Sequence, residues 1–255
     1  AIQYVVEEAR AVGIEDILMI TSRGKRSLED HFDRSYELEH HLESSGKTDL
    51  LAEMRAIAEL ADIHYVCQKE PRGLGHAVSV AREHVGDQPF ACLLGDDIMR
   101  ADSPLLGDMI STYTQRGASV LALKEVSKEE ISAYGCAEVE PVEGAVVRVG
   151  SIVEKPEPDR APSNLAVIGR YVLSPGIFEC LDRTPPGRGG EIQLTDGIGL
   201  LMEQEPVYGV VFERGRYDVG NKLEYLKASI ELALERPDLG PALRAFLLEL
   251  VAPEG

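Results

Sequence analysis

The chain has 255 residues, 44% of them hydrophobic and 27% charged, with a formal net charge of −18. That length and balance fit a globular fold with a substantial core, while the acidic excess argues against a nucleic-acid surface, which needs clustered Lys and Arg. No apolar run approaches the roughly 20 residues that span a bilayer and no signal peptide is visible, so neither membrane nor nucleic acid is an expected partner and the cytoplasm is the expected location.

Residues 1–12 read as an amphipathic helix, with Ile2, Val5, Val6, Ala9 and Val12 on one stripe and Gly13 as its stop. An α/β domain normally places a strand before such a helix, so a strand is expected ahead of Ala1. Strand-like runs at 16–21, 63–67, 90–94 and 119–126 then alternate with helical patterns, which predicts a mostly parallel sheet covered on both faces. Residues 27–61 form a long crossover of two or three helices carrying His31, His40 and His41. The Glu37-Leu38-Glu39-His40-His41-Leu42-Glu43 run reads there as a solvated helix face rather than a metal site.

After residue 134 the pattern changes to short β segments at 136–140, 145–149, 152–154 and 167–173, separated by turn residues such as Pro141 and Gly144. This predicts an antiparallel-rich section added to the first sheet. Helical patterns return at 175–181, 191–203 and 223–235, with a last one near 241–250. Cys67, Cys92, Cys136 and Cys180 form no CxxC pair and read as buried reduced thiols.

Four motifs carry candidate chemistry. Gln68-Lys69-Glu70-Pro71-Arg72-Gly73-Leu74-Gly75-His76 joins a predicted strand to a predicted helix. Glycines there let backbone N–H groups approach an anion, and the helix N-terminus adds positive potential. Asp96-Asp97 follows the 90–94 run, at the strand edge where open α/β sheets bind ligands, and a carboxylate beside a phosphate loop suits Mg²⁺. Glu154-Lys155-Pro156 ends a strand, with a surface ion pair as the plainer reading. Arg216-Tyr217-Asp218-Val219-Gly220-Asn221-Lys222 is a short strand entering a helix, where Asp218 suits a second metal ligand and Lys222 a phosphate contact; a capped helix start is the plainer reading. A dinucleotide fingerprint is incomplete, because Val78 stands at the third glycine position, although Asp96 has the spacing of a ribose-binding acid.

Taken together, Gly73-Leu74-Gly75-His76-Ala77-Val78, Leu94-Gly95-Asp96, Glu154-Lys155-Pro156, Ser163-Asn164-Leu165-Ala166, Gly169-Arg170-Tyr171-Val172-Leu173, Glu191-Ile192-Gln193-Leu194-Thr195-Asp196 and Asp218-Val219-Gly220-Asn221-Lys222 resemble the bacterial UTP–glucose-1-phosphate uridylyltransferases, in the family's order and over essentially the whole chain. The resemblance implies a three-layer, Rossmann-like nucleotidyltransferase fold: α/β, with a mixed, mostly parallel sheet, an antiparallel-rich section and C-terminal helices. It implies one domain over 1–255, with a nucleotide-binding half at 1–126, a sugar-binding half at 127–220 and C-terminal helices at 221–255. The family's opening G-x-G-T-R and P-K-x-x-x-P segments have no match here. A segment carrying them is expected to precede Ala1, and activity of the whole protein to draw on it.

The implied reaction joins UTP and glucose 1-phosphate into UDP-glucose and pyrophosphate, with Mg²⁺ as cofactor. Gln68, Gly73 and Gly75 are implied to bind the nucleotide, and Gly135, Glu154 and Glu191 the sugar. Lys155 is implied to hold the sugar phosphate, with Lys222 near the phosphates, and Asp96 and Asp218 to hold the metal. Asp96 and Lys155 are thus the implied catalytic residues. A homo-oligomer, dimer or tetramer, is also implied. Alternatives are a glucose-1-phosphate thymidylyltransferase, an NAD-dependent dehydrogenase and a non-catalytic sugar-nucleotide-binding subunit.

Overall fold

Helix α1 (Ile2–Ala11) buries Val5, Val6 and Ala9, the stripe its 3.6-residue periodicity predicts. The computed structural model describes residues 1–251. Strand β1 (Asp16–Thr21) follows, and helices α2 (Arg26–Phe32), α3 (Tyr36–Ser44) and α4 (Thr48–Ala58) fill the long crossover to β2 (Asp62–Cys67). β1 and β2 pair in parallel, and Met19 packs with Val6 and Phe32 against Ile17, Ile57 and Ile63. The crossover is less solvated than its sequence suggests. Glu39 is buried, and its carboxylate accepts from Arg34 at 2.6 Å and Arg55 at 3.0 Å.

Those two guanidinium groups, Arg34 first, hold the Glu39 carboxyl down at about 2. Because the folded form is the stronger acid, this contribution is complete above the ordinary carboxylate range and is lost as pH falls toward 2. Glu39→Gln is therefore expected to flatten part of the decline in urea-unfolding midpoint between pH 5 and pH 2. The effect should be small and should shrink in high salt, because both arginines are exposed.

Helices α5 (Leu74–Val80) and α6 (Arg82–Val85) lead to β3 (Phe90–Leu93) and β4 (Asp97–Met99); α7 (Leu105–Arg116) returns the chain to β5 (Val120–Glu125). Then come β6 (Gly135–Glu143), β7 (Val146–Glu154), β8 (Leu165–Leu173), α8 (Ile177–Arg183), α9 (Leu194–Leu201), β9 (Val207–Phe212), β10 (Arg216–Asp218), α10 (Lys222–Glu235) and α11 (Gly240–Leu250). The main sheet has the order β3-β8-β5-β9-β7-β6. Alternation along β5 sends Leu121 and Leu123 to the core under α5, α8 and α9, and Val120 and Ala122 to the core under α7. That division makes the three layers.

The sheet is mixed, but antiparallel pairings outweigh the mostly parallel arrangement predicted. β3, β5 and β9 do run the same way, as the alternating βα rhythm implies. β8 lies antiparallel between β3 and β5, so only β5–β9 and β1–β2 are parallel pairs among the described residues. β6 also pairs with β8, curling the sheet on itself. The segments predicted at 145–149 and 152–154 are one strand, β7, which runs through Gly150 against a bulged β6. β4 and β9 were not predicted. In β9, Leu123 and Val147 pack where a side chain of Gly209 would stand, so the glycine that weakens the strand pattern is a packing requirement.

The cysteines are free thiols; Cys136 and Cys180 are buried, but Cys67 is exposed, contrary to expectation. Burial pushes the Cys92 thiol up to about 11. No helix among the described residues is long and apolar enough to cross a membrane.

Candidate active site

The glycine loop is built by backbone, not by side chains. Gly73 has φ 98°, in the left-handed region that glycine adopts readily. A Cβ on Gly73 would stand 2.7 Å from the Ile192 carbonyl oxygen, and one on Gly75 would stand 2.8 Å from the same atom. The Gly75 N–H donates to that carbonyl at 2.9 Å, and the Ile192 N–H donates to the Arg72 carbonyl at 2.8 Å. Glu191 and Gln193 are therefore extended against the loop, which is why α9 begins only at Leu194 and not at 191. Gln68 lies just beyond β2, where its Nε2 reaches the Gly73 carbonyl at 3.3 Å and His76 Nδ1 at 2.8 Å. Gly73→Ala is expected to cost about 1–3 kcal/mol of stability through the strained φ alone, read as a lower urea midpoint together with a raised KM for the nucleotide.

Beside the loop, a cleft of about 250 Å³ is bordered by Asp96, Asp97, Gly135, Glu154, Lys155, Thr195, Arg216 and Asp218 among others. The adjacent acids Asp96 and Asp97 take opposite parts. Asp97 is 4% exposed; it accepts from the Gly169 N–H at 2.9 Å and from Arg216 Nε at 2.5 Å. Asp96 is exposed, and its carbonyl accepts from the Val219 N–H at 2.8 Å, fixing the loop to the segment after β10. A methyl group on Gly220 would lie 3.2 Å from Asp218 Oδ1 and 3.5 Å from Asp96 Oδ2, so both carboxylates border one point. Two hard oxygen donors meeting at a strand end suit Mg²⁺, which takes one or two carboxylates and completes its shell with phosphate and water.

Asp218 is oriented from below. Its Oδ2 accepts from the Tyr134 hydroxyl at 3.0 Å and lies 3.4 Å from Arg216 Nη2. Burial pushes the Tyr134 phenol up, so it remains a donor at neutral pH. Burial opposes the Arg216 charge, but Asp97 and Tyr134 more than offset it and hold the guanidinium protonated. The Arg216 guanidinium also lies over the Tyr134 ring, 5.1 Å from its centroid.

On the opposite wall, Gly135 opens β6 directly across from Glu154, the last residue of β7. Glu154 Oε2 accepts from the Thr195 hydroxyl at 2.7 Å, and Lys155 Nζ lies 3.7 Å from its other oxygen. Lys155 has φ 43°, the one non-glycine residue with positive φ among those described, and it precedes Pro156. Its N–H donates to the Tyr134 carbonyl at 3.1 Å. Such a backbone is costly and persists only where its surroundings impose it, as at binding sites.

The cleft thus gathers Asp96, Gly135, Glu154, Lys155 and Asp218 from the predicted set, with Gln68, Gly73, Gly75 and Glu191 around the adjoining loop. Lys222 starts α10, exposed and outside the lining residues. Asp97, Tyr134, Thr195 and Arg216 were not predicted. Thr195 and Arg216 lie inside motifs already singled out, whereas nothing local distinguishes Tyr134. A larger, open depression of about 650 Å³, bordered by Glu140, Arg148 and Glu203 among others, includes no predicted site residue.

Residues 1–235 match the family described as nucleotidyl transferase. The UTP–glucose-1-phosphate uridylyltransferase YngB of Bacillus subtilis is 50% identical over 254 residues, covering 100% of this chain and 86% of the relative. The chain belongs to the nucleotidyl transferase family, among its UTP–glucose-1-phosphate uridylyltransferases. A UTP-bound enzyme of this kind from Acinetobacter baumannii superposes with TM-score 0.89 at 41% identity, over 98% of this chain and 87% of that one. A UDP-glucose pyrophosphorylase complexed with UDP-glucose gives TM-score 0.83 at 41% identity, covering 92% and 87%. A Bacillus anthracis protein described as a glucose-1-phosphate thymidylyltransferase shares 20% identity at TM-score 0.62, covering 89% and 80%, and supports the fold alone.

Proposed function

We propose that the protein transfers the uridylyl group of UTP to glucose 1-phosphate, releasing pyrophosphate. The observation that carries this reading is the convergence of two carboxylates, a backbone-constrained lysine and a glycine loop on one cleft, in a chain 50% identical to such an enzyme. A phosphate oxygen of glucose 1-phosphate forms the new bond to the α-phosphorus, and the bond from that phosphorus to the departing pyrophosphate oxygen breaks in line. The nucleophile is already anionic at neutral pH, so no general base is required. The barrier lies in bringing two polyanions together, which makes positioning and charge stabilisation the protein's task.

Asp96 and Asp218 would hold Mg²⁺, which when bound neutralises charge on the phosphoryl oxygens. Gln68 and the loop at Gly73 and Gly75 receive the base and its phosphates, and Lys222 adds positive charge at the rim. Glu154, fixed by Thr195, accepts from sugar hydroxyls beside Gly135, with Glu191 closing that side. Lys155 holds the sugar phosphate. Lys155→Ala is expected to raise KM for glucose 1-phosphate about 10–100-fold, the value of one charge-assisted hydrogen bond, with a much smaller change for UTP. Equal effects on both substrates would remove the assignment.

The direct test is pyrophosphate release from UTP and glucose 1-phosphate, with dTTP in parallel and NAD⁺ as a binding control. Preference for UTP supports the reading. Preference for dTTP moves it to the thymidylyltransferases, and saturable UDP-glucose binding without turnover moves it to a binding subunit. A cytoplasmic location accords with these substrates. Leu223, Tyr225, Leu226, Phe246, Leu248 and Leu250 on α10 and α11 are exposed, and this apolar surface supports a homo-oligomer.

A further inference from the structure

Three ligand-type side chains meet at the end of β1 and β2 opposite the cleft. Asp16 is the first residue of β1, and its register partner is Asp62. His64, two residues further along β2, therefore shares its face. His84 comes from α6, beyond the helix that the glycine loop begins. His84 Nε2 lies 2.9 Å from Asp16 Oδ1, and His64 Nε2 lies 3.7 Å from the same oxygen. The imidazole centroids are 4.9 Å apart, and the three ligand atoms all lie within 4.8 Å of one another.

We propose that Asp16, His64 and His84 bind a zinc-class divalent cation, with water completing its shell, at a site separate from the cleft. Zinc bonds of about 2.0–2.1 Å in a tetrahedron place neighbouring ligand atoms roughly 3.3–3.4 Å apart. The two distances to the carboxylate oxygen fall on either side of that value, so small side-chain rotations close the site without backbone movement. Two imidazoles with one carboxylate suit zinc, cobalt, nickel or copper, whereas magnesium prefers oxygen donors alone. A surface hydrogen bond needs only one histidine on the carboxylate; here both rings direct Nε2 at the same oxygen. All three side chains are accessible enough for a cation to enter directly. Bound there, the cation ties the starts of both strands to α6.

The test is Zn²⁺ titration of the metal-free full chain in competition with a chromophoric chelator. Excess Mg²⁺ is kept present to occupy the carboxylates of the cleft. Wild type is expected to bind one zinc ion, and Asp16→Asn, His64→Gln and His84→Gln each to weaken it at least about tenfold, no less than losing a group that merely orients a ligand. Zinc should raise the unfolding midpoint of wild type and not of the variants, while all four proteins unfold alike in EDTA. Co²⁺ should give the visible absorption of a tetrahedral site in wild type alone. Zinc affinity unchanged in the variants would place any binding elsewhere. No stoichiometric binding by wild type would leave a hydrogen-bonded surface cluster only. Either result overturns the proposal.

Discussion

Asp96→Asn is expected to lower turnover by about 10²–10³-fold, the usual consequence of deleting one group that stabilises transition-state charge. The substitution keeps shape and removes charge. The loop is held through the Asp96 carbonyl, which accepts from the Val219 N–H at 2.8 Å, and asparagine leaves that bond intact. Folding should therefore be preserved, with the loss appearing in kcat and in the Mg²⁺ concentration needed for half-maximal rate. Turnover and Mg²⁺ dependence near those of wild type would show that Asp96 is not the metal ligand. The same change one residue on reports a different link: Asp97→Asn removes the nearer and more buried of the two carboxylates on Arg216, leaving only Asp218 at 3.4 Å, so its first effect falls on stability.

That contrast shows what local sequence carries. An acid doublet after a buried strand marks the strand end, and alternation says that neighbouring side chains diverge. Which of the two turns inward depends on Arg216, 119 residues away in sequence. The positions of Glu154 and Lys155 at a strand end followed from Pro156, but the left-handed backbone at Lys155 depends on the Tyr134 carbonyl that fixes its N–H. Glycine at 73 and 75 signalled a tight approach; that the approaching chain is Glu191-Ile192, bonded through Ile192 to Arg72 and Gly75, lay outside local reach.

The fold divides in the same way. Periodicity located α1, and short apolar runs located β1, β3 and β5, to within a residue or so, because those signals are local to each element. It did not locate strand neighbours. β8 is buried along nearly its whole length, Arg170 included, and burial on both faces is equally suited to parallel and antiparallel company. Its insertion between β3 and β5 puts two antiparallel contacts where those two strands would share one parallel contact. The crossover reads as polar because charge dominates its composition, yet Glu39 is buried by two arginines that no helical spacing pairs with it.

Arg170→Met should destabilise the protein by about 3–5 kcal/mol, the range for removing one partner of a buried ion pair. Arg170 lies on β8 with 0% exposure, the largest fully buried side chain described. Its Nε and Nη2 donate to the Glu8 carboxylate, at 2.7 Å for the shortest contact. Nη1 donates to the carbonyls of Leu94 and Gly169, and Nη2 also to that of Asp97. Methionine fills much of the volume but takes the guanidinium from Glu8 and from the Asp97 carbonyl, while the Gly169 and Leu94 carbonyls keep the Leu94 and Asp97 N–H groups at 2.9 and 3.3 Å, so desolvation at Glu8 rather than a cavity sets the cost. The double variant Glu8→Gln/Arg170→Met should recover part of the loss, because the uncompensated charge is then gone. Leu94 and Asp97 flank the Gly95-Asp96 turn, so the same guanidinium braces the loop that presents Asp96 to the cleft. Urea unfolding of the single and double variants measures the stability term, and Mg²⁺ dependence of residual activity measures the bracing. A loss below about 1 kcal/mol, within the range of ordinary surface hydrogen bonds, with unchanged Mg²⁺ dependence, would mean that the turn is held without Arg170, by the Asp97–Arg216 pair and the Gly169 and Val219 bonds.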